Sequence, residues 1–87
     1  MKILFTGGSS FTGCWLIREL ARAGHEVVAT FQKPPGEYPD ELRRRRVSLA
    51  LEHSRGVFEC SFGDDRFQEL LGDEQWDVLC HHAADVT

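Results

Sequence analysis

The residues best suited to chemistry lie near the start of the chain. Thr6-Gly7-Gly8-Ser9-Ser10-Phe11-Thr12-Gly13 is a glycine- and hydroxyl-rich turn between an apolar run and a helical pattern. Such a turn suits a diphosphate. The chain must bend tightly, the backbone must come close without a Cβ in the way, and a helix N-terminus must offer free N–H groups and a positive dipole end. Gly7 is placed to make the bend and Gly13 to let the helix pack close. The N–H groups of Phe11 and Thr12 are placed to meet the phosphates. A glycine-rich turn with no ligand is the competing reading. His81 and His82 are adjacent, so on a strand they point to opposite faces and do not chelate one ion together. Cys14, Cys60 and Cys80 are far apart, with no CxxC or Cys/His spacing, and read as buried reduced thiols. No metal site is expected. Arg43 to Arg46 form the one basic patch, a solvated helix face or a phosphate contact.

These residues need elements to hold them. Lys2 to Thr6 is a continuous apolar run, as in a strand buried on both faces. From Phe11 the period changes: Gly13, Leu16, Ile17, Leu20, Ala21 and Gly24 mark one helix face, with Gly24 as the stop. Glu26 to Phe31 is a second strand. Gln32 to Pro39, with three prolines and a glycine, is a loop. Asp40 caps a helix that carries the arginines and has no clear end. Val57 to Ser61 reads as a third strand. Asp64 or Asp65 opens a short helix with Phe67, Leu70 and Leu71 inside and Gly72 closing it, and Trp76 to His81 is a fourth strand. Strands alternating with helices imply βαβ units and a parallel sheet with helices on both faces. The fold class is therefore α/β, with a parallel sheet covered on both faces.

Composition sets the outer limits. With 87 residues the chain is one domain at most. At 41% hydrophobic and 28% charged residues it has the make-up of a soluble globular protein, and the cytoplasm is the expected compartment. No apolar run is long enough for a membrane span or a signal peptide. Residues 1–46 carry eight Lys/Arg against five Asp/Glu, whereas residues 59–77 carry one against seven. The overall balance of −4 and pI of about 5.5 argue against a nucleic-acid partner.

The opening segment resembles the extended short-chain dehydrogenase/reductase family, which includes NAD-dependent epimerases and dehydratases. Its strand followed by T-G-x-x-G-x-x-G is matched by Thr6, Gly7 and Gly13, with Ser10 in place of the middle glycine. Gly24-His25-Glu26-Val27-Val28 is similar to the G-H-x-V before the second strand. Trp76-Asp77-Val78-Leu79-Cys80-His81-His82-Ala83-Ala84 is similar to the fourth-strand motif D-x-V-x-H-x-A-A. The resemblance covers nearly the whole chain and implies a three-layer Rossmann-like fold, partial, with strand order 3-2-1-4. It implies a dinucleotide cofactor, NAD or NADP, and a nucleotide-sugar-like substrate. It places His82, Ala83 and Ala84 by the nicotinamide-proximal ribose. Ser61 and Phe62 stand where an acid and an aliphatic residue would meet the adenine. Phe31 stands where an acid would accept the adenosine-ribose hydroxyls, and Lys33 follows. The missing acid, with Lys33 and the arginine run available to a 2′-phosphate, leans the reading toward NADP.

The family's Tyr-x-x-x-Lys pair is absent. The single tyrosine, Tyr38, has Leu42 four residues on. The expectation is thus a single NAD(P)-binding domain over residues 1–87, the N-terminal portion of a larger enzyme, with no catalytic residue of its own. Strand 4 would be an apolar edge, prone to self-association. The alternative is a non-catalytic nucleotide-binding or interaction module with an altered cofactor site.

Overall fold

The computed structural model describes residues 1–82. Four strands and three helices alternate: β1 (Lys2–Thr6), α1 (Phe11–Arg22), β2 (Glu26–Thr30), α2 (Glu41–Glu52), β3 (Arg55–Val57), α3 (Asp65–Asp73) and β4 (Val78–His81). The sheet is parallel throughout, as the strand–helix alternation predicts, and ordered β3-β2-β1-β4, as the resemblance implies. The chain reverses its direction of travel across the sheet after β3, so β1 and β4 meet at a topological switch point.

The pleat of the strands sorts two cores. Phe5, Val27, Ala29 and Phe31 point to the side of α1 and α2, where they meet Cys14, Ile17, Tyr38, Val47 and Ala50. Leu4 and Val28 point the other way, against Cys60 and Phe67 under α3. β1 and β2 are therefore apolar on both faces, as central parallel strands must be. Among the described residues β4 pairs with β1 alone, and Val78 and Leu79 remain 39% and 44% exposed at that margin.

Several local expectations need correction. The third strand lies at Arg55–Val57, ahead of the predicted Val57–Ser61. Pairing then slips by one residue: the Phe31 N–H bonds the Val57 carbonyl, while the Phe31 carbonyl accepts from Cys60. Phe58 and Glu59 face one partner residue, a β-bulge, and Glu59 takes φ 54° to make it. α1 buries Gly13, Cys14 and Ile17, whereas Leu16 is 39% exposed and lies off the inner face. The proline loop holds a short 3-10 turn at Pro35–Glu37. Tyr38, assigned only to that loop, is buried in the core, and Arg44 donates to the Tyr38 and Pro39 carbonyls to fix it. α2 ends at Glu52, an end its weak periodicity did not mark. Asp64 is the cap of α3, and Gly72 lies inside that helix's last turn.

Candidate functional site

The carboxyl ends of the parallel strands lie along one side of the sheet, and the glycine-rich turn leaves β1 there, between β2 and β4. Gly7 adopts φ 88°, a left-handed conformation that bends the chain off β1. At Gly13 a Cβ would lie 2.0 Å from the Gly7 carbonyl oxygen. The glycine is therefore needed so that α1 can sit on its own entry turn, rather than on the sheet as expected. Gly8 is also confined: a Cβ there would press on Ile17 and on the Phe31 ring.

Ser10, at the position of the middle glycine, caps α1. Its hydroxyl accepts from the Gly13 N–H and donates to the Gly7 carbonyl, each at 2.9 Å. Both bonds point inward, so its hydroxyl is committed to the turn. The N–H groups of Phe11 and Thr12 have no acceptor among the described residues, as the first amides of a helix have no carbonyl a turn below. α1 carries no acid in its first turn, so its positive end is uncompensated. These are the donors a diphosphate needs. Cys14, one turn in, gives its thiol proton to the Phe11 carbonyl, and burial raises its pKa against the opposing pull of Arg46.

Phe31, at the end of β2, is 2% exposed and stacks on Phe58 at 5.5 Å. Its ring fills the space beneath Gly8, so the position is apolar and closed. Lys33 follows on the surface, with its backbone N–H 3.4 Å from the Tyr38 hydroxyl. Among the four arginines Arg44 holds the loop and Arg45 pairs with Glu41 one turn back. Arg46 lies over the Phe11 ring, 5.8 Å from its centre.

Beyond β3, the Ser61 N–H donates to Asp64, which also accepts from Phe67. These two backbone bonds hold the Asp64 carboxyl below the usual carboxylate range. Phe62 is 53% exposed yet stacks on His81 at 3.9 Å, reaching from the β3 side to the end of β4. His81 in turn bonds the buried Thr6 hydroxyl through Nδ1 at 2.8 Å. The adjacent His82 lies on the opposite face, its ring 5.9 Å from Phe5 and its N–H on the Thr6 carbonyl. Ala83 and Ala84 lie outside the described residues. Sequence reasoning missed the Thr6–His81 bond and the Phe62–His81 stack. The strand register would have revealed the first, because Thr6 and His81 are cross-strand partners. Among the described residues no group of three His, Cys, Asp or Glu comes together to hold a metal, and no helix is long and apolar enough to cross a membrane.

The parallel order, the switch point and the glycine turn at a helix mouth define the Rossmann-like class of α/β proteins. Within that class, the chain belongs to the NAD dependent epimerase/dehydratase family, whose model matches residues 3–87. Among solved structures it is similar to a variant of the UDP-glucuronic acid 4-epimerase of Bacillus cereus, in complex with UDP-4-deoxy-4-fluoro-glucuronic acid and NAD. The two are 29% identical with a TM-score of 0.67. The match covers 94% of this chain and 26% of that one.

Proposed function

We propose that this chain is the dinucleotide-binding portion of an extended short-chain dehydrogenase/reductase acting on a nucleotide-sugar-like substrate, the N-terminal part of a larger cytoplasmic oxidoreductase. The observation that carries the reading is the mouth of α1, where the free Phe11 and Thr12 amides lie beside two glycines that leave no room for a Cβ. This donor set fits a pyrophosphate. Gly7, Ser10 and Gly13 shape the turn. Ser61 and Phe62 would border the adenine and His82 the nicotinamide-side ribose. When bound, the nicotinamide would supply hydride transfer. The acid–base chemistry belongs to residues outside this chain, because its one tyrosine, Tyr38, is buried in the core.

The adenosine end favours NADP over NAD. Phe31 offers no oxygen to the ribose hydroxyls, and Lys33 supplies positive charge for a 2′-phosphate. The bare margin at Val78 and Leu79 favours self-association through β4. The buried Phe31 ring also supports a second reading, a module that has lost cofactor binding.

Titration of NAD, NADH, NADP and NADPH against tryptophan fluorescence separates the two readings. Trp15 lies one turn from the helix mouth, its ring 6.4 Å from that of Phe11. Micromolar quenching by any of the four supports the dinucleotide reading, and silence up to millimolar supports the other.

A further inference from the structure

Of the four consecutive arginines, Arg46 is set apart by its surroundings. Arg43 projects from the exposed side of α2, Arg44 is bound to two loop carbonyls, and Arg45 is paired with Glu41. Arg46 is half-buried between α2 and α1, next to the fully buried Val47, and has no carboxylate partner among the described residues. Its guanidinium rests on the Phe11 ring, at the first residue of α1, and its charge is felt by Cys14 one turn in.

Placing a cation here is electrostatically adverse. The helix mouth is already positive, it holds no acid, and Arg46 adds a full charge beside it. A guanidinium is weakly hydrated and stacks on aromatic faces, so Phe11 can hold it in place without neutralising it. The counter-charge missing from the protein is the one a phosphate would bring. The forked donors of arginine match phosphate oxygens two at a time, which the single amides of Phe11 and Thr12 cannot do alone.

We infer that Arg46 is a phosphate ligand of the dinucleotide, reaching across from α2 to the mouth of α1. The inference rests on the dinucleotide reading above and adds to it a residue on a separate helix. It turns the tetra-arginine from a general basic patch into one functional side chain and three with other surroundings.

The test is isothermal titration of the full chain with NADH and with NADPH, comparing wild type, Arg46→Gln and Arg46→Met. The methionine keeps an unbranched stem over Phe11 and serves if the glutamine variant fails to fold, which circular dichroism reports. Arg22→Gln, at the far end of α1, removes the same charge and leaves both affinities unchanged. Loss of Arg46 weakens binding by about tenfold or more, as expected for one charge-assisted contact. An equal loss for both cofactors is expected of a pyrophosphate ligand at the mouth of α1, and a loss confined to NADPH would move Arg46 to the 2′-phosphate and overturn that seat. Wild-type affinity for both cofactors in a folded variant would overturn the role of Arg46 and leave the dinucleotide reading standing. Absence of binding by the wild type would remove that reading, and this inference with it.

Discussion

The two ends of the sheet treat charge in opposite ways. At the amino end, charges close on one another: Glu74 is held between Lys2 and Arg55, Lys2 also approaches Glu26, the Lys2 backbone N–H donates to Asp77, and the terminal amine meets His25. At the carboxyl end, cations and donors are left over: the Phe11 and Thr12 amides, Lys33 and Arg46 have no carboxylate partner among the described residues. One end closes its charges on one another, whereas at the other the mouth of α1 alone is left without an acid, Asp40 and Asp64 capping α2 and α3. An aggregate charge of −4 conceals this division, because it sums over both ends.

The comparison can be broken at its firmest point first. Phe31→Ala empties a closed aromatic contact beneath the glycine turn and should cost about 3–5 kcal/mol. For a chain of this size each kcal/mol lowers the melting temperature by about 4–8 °C, so calorimetry should find little folded protein above ambient temperature. Gly13→Ala forces a methyl against the Gly7 carbonyl and should cost about 2–3 kcal/mol, with loss of dinucleotide binding in the same titration. Ser10→Ala removes the cap of α1 for about 1 kcal/mol. Because the hydroxyl faces inward, dinucleotide affinity should stay within about twofold, less than one net hydrogen bond. A larger loss would show that the hydroxyl reaches the ligand after all.

Acid separates the two ends more gently. Glu74 is held below the usual carboxylate range, first by its hydrogen bond to Lys2 and then by Arg55, and Asp64 by the backbone amides of Ser61 and Phe67. A pKa lowered on folding gives stability that is present above the unfolded value, near 4, and lost as pH falls through the folded value. Stability should therefore decline below about pH 4. Glu74→Gln should flatten part of that decline, and added salt should weaken the Glu74 part more than the Asp64 part, because ion pairs are screened. Acid melts at low and high salt would show it. Equal salt sensitivity at the two residues would contradict the division between ends.

Much of the fold was legible because hydrophobic period and glycine placement report directly on strands and helices. The parallel sheet follows from alternation, the order 3-2-1-4 came with the family resemblance, and Asp40 and Gly24 marked helix boundaries that the structure keeps. What escaped depends on partners distant in sequence. The start of β3 was hidden by a bulge, and Glu59 has no sequence signature for a positive φ. Tyr38 looked like a loop residue until Arg44 and the core enclosed it. Leu16 has the right spacing for the core but lies on the side of α1 that faces no strand of this sheet. In the site, the glycines and free amides could be foreseen. The inward turn of Ser10 and the seat of Arg46 could not, because side-chain direction is set by packing between helices.

The Ser10 cap has a consequence for how quickly a ligand is taken up. A helix mouth whose shape is fixed by its own serine does not wait for a guest to organise it. Capture should then run near the rate of encounter, with little ordering entropy lost on arrival. Hydrogen exchange at Ser10 and Gly13, already bonded within the turn, should look much the same before and after loading, whereas the free Phe11 and Thr12 amides should become protected, and differences in grip among cofactors should surface as differences in how long each one stays.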